Sequence, residues 1–160
     1  TINGVSKCYA MTGWRIGYAG GPKEIIRAMK TIQSQSTGNP CSISQIAAIA
    51  ALNGDQSCIQ EMNVAYQDRN NFLVEALNTI PGFECKKADG AFYAFPKTID
   101  AIIQKGLKDD VALVGLILKE TGVAMVPGTP FGAPGYIRLS FACSKEDLIE
   151  AIDRIKRILI

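Results

Sequence analysis

Histidine is absent from all 160 residues. No Ser-His or Cys-His nucleophile pair and no imidazole metal site can therefore be built from this chain alone. The five cysteines, Cys8, Cys41, Cys58, Cys85 and Cys143, are odd in number, scattered, and form no C-x-x-C pair. That pattern argues against a disulfide framework or a zinc site and suits a reducing, cytoplasmic setting. No apolar run is long enough to span a membrane, and the opening Thr1-Ile2-Asn3-Gly4, without an initiating Met, shows no leader pattern. The formal net charge of +2 comes without the basic block that a nucleic-acid face would carry. Repeats and low-complexity stretches are also missing. Catalysis, if this chain takes part in any, has to rest on Lys, Arg, Tyr, carboxylates or a cofactor.

What remains is the composition of a globular protein, 48% hydrophobic and 20% charged, on a length that suits one domain or a pair of subdomains. Thr1-Ile2 reads as the end of a strand with nothing before it to pair with in a hairpin, followed by a loop from Lys7 to Gly13. Arg15 to Ala19 reads as a strand, stopped by Gly20-Gly21-Pro22, with Pro22 suited to the first turn of a helix over Lys23 to Gln33. A second helix is expected over Ser42 to Leu52, closed by Gly54. Asp55 is the candidate N-cap of a long third helix, with the apolar stripe Met62, Tyr66, Leu73, Leu77, Ile80 and an end at Pro81-Gly82. Beyond it, short strands (Phe83 to Lys87, Ala91 to Phe95, Val123 to Val126, Tyr136 to Phe141) alternate with helices (Thr98 to Gln104, Asp110 to Thr121, Lys145 to Ile158), the pattern of a small α+β unit. The domain boundary is set within the long helix, dividing residues 1–58 from residues 59–160.

Gly4-Val5-Ser6-Lys7-Cys8-Tyr9-Ala10-Met11-Thr12-Gly13-Trp14-Arg15-Ile16-Gly17 is the most informative segment. A lone loop lysine is ordinarily a solvated surface charge. Around Lys7, however, Gly4, Ser6, Ala10, Gly13 and Gly17 allow close approach of a ligand or another backbone, and Tyr9, Met11 and Trp14 are bulk expected to dry the site. A desolvated amine beside a second cation becomes a usable nucleophile for a Schiff base. Arg15 supplies that cation, and its planar fork can hold a phosphate.

A second arginine lies in Tyr136-Ile137-Arg138-Leu139-Ser140-Phe141. Alternation puts Ile137, Leu139 and Phe141 on one face and Tyr136, Arg138 and Ser140 on the other. An exposed strand arginine is the ordinary reading. The preceding Val126-Pro127-Gly128-Thr129-Pro130-Phe131-Gly132-Ala133-Pro134-Gly135 is a stiff, glycine-rich loop suited to framing a pocket. It lacks the Gly-Lys-Ser/Thr ending of a P-loop.

The lysine segment resembles the cofactor-attachment signature of class I aminotransferases that use pyridoxal 5'-phosphate (PLP), in the wording of the aspartate aminotransferase family. The Val-Pro-Gly-x-x-Phe-Gly loop followed by a strand arginine, and the run Gly90-Ala91-Phe92-Tyr93-Ala94-Phe95-Pro96, are similar to the same family. The resemblance covers essentially the whole chain. It implies an α/β protein of PLP-dependent transferase fold type I: residues 1–58 as a remnant of the large cofactor domain, and residues 59–160 as a linking helix with the small C-terminal α+β domain. It further implies that Lys7 carries the cofactor as a Schiff base, that Arg15 binds its phosphate, and that Arg138 holds the substrate α-carboxylate. Some members carry a phosphate-binding hydroxyl three residues before the lysine, where this chain has Gly4. Phe92 and Phe95 are expected in the core. The implied activity is amino transfer between aspartate and 2-oxoglutarate, with aminotransferases for aromatic amino acids or alanine, and related lyases, as alternatives. The implied assembly is a cytoplasmic homodimer without metal, membrane or nucleic acid. The resemblance also implies that the chain is a fragment, since the ring-stacking aromatic and the Asp for the pyridine nitrogen lie in a preceding half. A non-catalytic fragment is then the alternative of a different class.

Overall fold

The structure, a computed structural model, describes residues 1–160. The chain divides into two units, Thr1–Asn63 and Val64–Ile160. The division falls between Asn63 and Val64, within one long helix, where the sequence reading set it at residues 58 and 59.

In the first unit, β1 (Ile2–Gly4) pairs antiparallel with β2 (Gly17–Ala19), Gly4 opposite Gly17. The glycines are there because the backbones crowd: a Cβ on Gly4 would stand 3.2 Å from the Ile16 carbonyl, and one on Gly17 3.2 Å from that of Asn3. β1 therefore finds its partner downstream, and Arg15 and Ile16 precede the strand assigned to them. The intervening segment is no open loop. It contains the single turn α1 (Val5–Cys8) and a 3₁₀ turn over Thr12–Trp14. Two helices follow, α2 (Lys23–Ser36) and α3 (Ser42–Asn53). Pro22 stands just outside α2, where its missing N–H costs nothing.

The long helix α4 (Ser57–Asn78) opens after an Asx turn. The Asp55 carboxylate accepts the Ser57 amide at 3.1 Å and the Ser57 hydroxyl at 2.5 Å, so Asp55 stabilises the entry from two residues outside the helix. In the second unit, Leu73 and Leu77 of α4 and the following Ile80 are buried, while Met62 and Tyr66 are half-buried. The rest of this unit comprises β3 (Tyr93–Ala94), α5 (Ile99–Gln104), α6 (Asp110–Thr121), β4 (Val126–Pro127), β5 (Ile137–Ser140) and α7 (Lys145–Leu159).

The sheet order is β3-β5-β4, all antiparallel, with β5 central. Ile137, Leu139 and Phe141 face a core completed by Leu113, Val114 and Ile117 of α6 and Leu148, Ile152, Ile155 and Leu159 of α7. The 4-3-4 spacing in α7 places its four apolar residues on one stripe. Ser144 caps α7 through the Asp147 amide (3.0 Å), and Glu146 and Asp147 open the helix while Lys156 and Arg157 close it, each end matched to the helix dipole. The expected strand at Phe83 to Lys87 shrinks to one bridge between Glu84 and Lys97. Asn78 takes up the adjoining Cys85 backbone instead, accepting its N–H at 2.8 Å and donating to its carbonyl at 3.0 Å. β4 begins only at Val126, past the expected start at Val123.

Candidate functional site

Lys7 sits in α1, exposed, two residues after the fully buried Val5. Val5 anchors the turn from inside. Tyr9 fixes it from the other end, its hydroxyl donating to Gln56 Oε1 at 2.8 Å. Gln56 in turn donates to the carbonyls of Ala51 (3.0 Å) and Gly54 (2.7 Å), so the lysine turn is tied to the α3–α4 connection. Ala10 (φ 52°) and Arg15 (φ 53°) both adopt the left-handed conformation. This costs a non-glycine residue about 1–2 kcal/mol, and such strain gathers where geometry serves a site. Arg15 is exposed and donates from Nη1 to the Thr12 carbonyl at 3.2 Å. That bond uses one of its five N–H groups.

Between Thr1 and Lys23 there is no carboxylate; the first is Glu24. The donors of this glycine-relieved hairpin, an amine and a guanidinium, suit a ligand with an aldehyde and a phosphate. The donor set fits PLP in that sense. The drying expected from aromatic bulk is not provided within this unit: Trp14 is 43% exposed and Tyr9 and Met11 are half-buried.

In the second unit, Arg138 lies half-buried on the polar face of β5, as the alternation requires. Its guanidinium carbon is 4.5 Å from the centre of the Tyr93 ring and 4.6 Å from that of Phe131. Tyr93 pairs with Ser140 across the β3–β5 register, so Arg138 is its diagonal neighbour on the same face. Phe131 comes from a 3₁₀ turn over Thr129–Phe131. Phe95 is no core residue. It is 38% exposed, stacked on Tyr136 at 5.3 Å and edge-on to Phe131 at 6.5 Å. Phe92 is half-buried against the core, beside Tyr66. Rings packed on a guanidinium engage its face and leave its N–H edge as the part that pairs with a carboxylate, and Arg138 makes no ion pair.

One residue that sequence reasoning passed over is Asp110, fully buried at the start of α6. Its carboxylate accepts the Thr129 amide (2.8 Å), the Thr129 hydroxyl (2.6 Å) and the Gly135 amide (3.3 Å). Burial pushes this carboxyl up, and the hydrogen bonds from Thr129 and Gly135 outweigh it, holding it below its ordinary value. A trace was present in the sequence: Asp109 and Asp110 stand together at a helix start, where a cap needs only one. Asp109 is that cap, accepting the Ala112 amide at 2.9 Å.

Comparison with known proteins gives a consistent answer. Residues 1–155 match the family described as aminotransferase class I and II. The chain is 54% identical over 164 aligned residues to an aspartate/prephenate aminotransferase of Nitrosomonas europaea, an alignment covering 99% of this chain and 41% of that protein. The crystal structure of the aspartate aminotransferase of Rhizobium meliloti superposes with a TM-score of 0.93 at 44% identity, over 99% of this chain and 41% of that one. An aromatic aminotransferase of Pyrococcus horikoshii gives 0.91 at 39% identity, over 99% and 42%. The chain thus spans about two-fifths of the length of the relatives it matches.

Proposed function

From the premise that this chain belongs to the class I and II aminotransferases, we propose that it supplies the lysine and the carboxylate-binding arginine of a PLP-dependent enzyme transferring the amino group of aspartate to 2-oxoglutarate. The observation that carries the reading is the Arg138 guanidinium held between Tyr93 and Phe131 with its N–H edge unobstructed by any ion pair. When bound, PLP supplies the electron-withdrawing ring that makes the Cα–H bond of an amino acid ionisable. Lys7 would hold the cofactor through its amine, and its Nζ would serve as the group that accepts and returns a proton. Arg15 offers a fork to the phosphate. Arg138 offers a fork to the α-carboxylate of the amino acid.

Two experiments on the full-length protein test this. Borohydride reduction in the presence of PLP, followed by peptide mapping, is expected to place the pyridoxyl group on Lys7; a label on another lysine overturns the assignment. Arg138→Lys keeps the charge and loses the fork. It is expected to lower kcat/KM for aspartate with PLP retained, and an unchanged value refutes the carboxylate role.

The aromatic rim of Tyr93, Phe95, Phe131 and Tyr136 favours a second reading, in which the preferred substrate has an aromatic side chain. The ratio of kcat/KM for phenylalanine to that for aspartate decides between the two. We place the complete enzyme in the cytoplasm as a homodimer: its five free thiols suit a reducing compartment, and the exposed Ile25, Met29 and Ile32 of α2 and Ile43, Ile46 and Ile49 of α3 suit protein contacts.

A further inference from the structure

We propose that Asp110 is a positioning residue for Arg138, acting through the turn that carries Phe131; this rests on the reading of Arg138 as the carboxylate binder. The helix does not need the Asp110 side chain, because Asp109 already caps α6. Nor is a buried carboxylate an economical structural device. It has no cationic partner here, and an apolar residue of similar size would avoid its desolvation. Its three hydrogen bonds all go to one loop, and to both ends of it: Thr129 at the start and Gly135 at the end.

The far end is held twice, since the Gly135 carbonyl accepts the Thr98 amide at 2.8 Å and the Thr98 hydroxyl at 3.1 Å. The near end is closed on itself by the Phe131 (2.8 Å) and Ala133 (3.1 Å) amides donating to the Gly128 carbonyl, and it is tied to the rest of the unit by Asp110 and by the Gly128 amide, which donates to the Tyr136 carbonyl at 2.8 Å. That near end is the turn bearing Phe131. Of the two rings flanking Arg138, Tyr93 is fixed by its strand, whereas Phe131 depends on its turn and on an edge-on contact with the exposed Phe95. No carboxylate pairs with Arg138 to hold it otherwise. Asp110 thus sets the one adjustable wall of the clamp, and with it the direction of the guanidinium.

The test uses the full-length, PLP-loaded enzyme and the variants Asp110→Asn, Thr129→Val and Thr129→Ser, each alone and combined with Arg138→Lys. Asp110→Asn and Thr129→Val are expected to lower kcat/KM for aspartate about tenfold, mainly through KM, in line with coupling between residues in one network. Thr129→Ser keeps the hydroxyl donor and is expected to retain the original value. In the Arg138→Lys background the same changes are expected to add no further loss, because the fork they aim is gone. A tenfold loss that persists in that background overturns the proposal, since Asp110 would then act on the fold and not on Arg138. A Thr129→Val enzyme with unchanged KM overturns it as well, and the Thr129 pair decides the matter if Asp110→Asn fails to fold. Should Arg138→Lys alone leave kcat/KM unchanged, the carboxylate reading itself falls. A normal loss for Arg138→Lys with none for Thr129→Val removes only the role of Asp110.

Discussion

Gly128→Ala tests how far backbone crowding, and not backbone conformation, dictates the loop before Arg138. Gly128 has φ −77°, an ordinary value for any residue. On conformational grounds alone the change would stabilise the protein by about 0.4–1 kcal/mol, by reducing the freedom of the unfolded chain. The structure predicts the opposite. An added Cβ would stand 2.3 Å from the Ala133 carbonyl oxygen and 2.7 Å from that of Tyr136. Both obstacles are backbone atoms that no rotamer change can move. Overpacking costs about 1–3 kcal/mol, and here it falls at the upper end. The shift also breaks the 2.8 Å bond from the Gly128 amide to the Tyr136 carbonyl, about 1 kcal/mol more. Net of the entropic gain, a loss of about 3 kcal/mol is expected. Gly132→Ala is the control. Gly132 has φ +73° but nothing within 4 Å of its would-be Cβ, so only the left-handed penalty applies, about 1–2 kcal/mol. Native-state hydrogen exchange at the β5 and α6 amides gives both values for this unit alone. If Gly132→Ala proves the costlier change, or Gly128→Ala stabilises, the crowding argument is wrong.

Two further outcomes concern titratable groups. The Asp110 carboxyl is depressed in the folded state, so its contribution to stability is present above the unfolded Asp value of about 3.9 and is lost as pH falls through the lower folded value; protection of the Thr129 amide, taken relative to its intrinsic exchange rate at each pH, should fall in that acidic window and stay constant above it. The Cys41 thiol is held low by the Ser44 and Ile43 amides at the start of α3, whereas burial raises that of Cys85. Iodoacetamide near neutral pH is therefore expected to modify Cys41 well before Cys85, and equal rates would refute the assignment of those environments.

Much of the second unit was legible in the sequence because its periodicities answer to its own core. α6 matches the expected Asp110–Thr121 span, and α7 runs one residue past the expected end. The alternation around Arg138 correctly separated Ile137 and Leu139 from the polar face. What failed there was short-range. Phe83 to Lys87 has the composition of a strand, but Asn78 captures the Cys85 backbone first. Phe95 was assigned to the core by its apolarity, and the two-residue alternation from Tyr93 carries it to the open face instead. Asp110 was invisible because its partners, Thr129 and Gly135, are distant in sequence and recognisable only once the loop is folded. In the first unit, the Lys7 segment was identified by its wording. Its geometry was not, since a single turn at Val5–Cys8 and a left-handed Arg15 follow from the Gly4–Gly17 pairing, which no local pattern announces.

The two units also differ in what could hold them. All eighteen members of the buried cluster, from Leu73 to Leu159, belong to the second unit. The first has only Val5 and Ala48 among buried hydrophobics, and its helix α2 has no fully buried residue, Ile26 alone being half-buried. Yet α2 is strongly two-faced, with Ile25, Met29 and Ile32 along one side and Lys23, Arg27 and Lys30 elsewhere, and Ile25, Met29 and Ile32 are 56%, 44% and 68% exposed. A helix of this length is marginal in water without a surface to cover such a stripe, and the hydrophobic stripe stabilises only when buried. In the 160-residue chain the amides of α2 and α3 are therefore expected to exchange at rates close to those of isolated helices. Those of β5, α6 and α7 should require opening of the core. Lys7 and Arg15 would then belong to the less ordered unit and Arg138 to the more ordered one. Equal protection of α2 and α7 in this chain would refute the reasoning, because it would mean that the exposed stripe needs no partner to be stable.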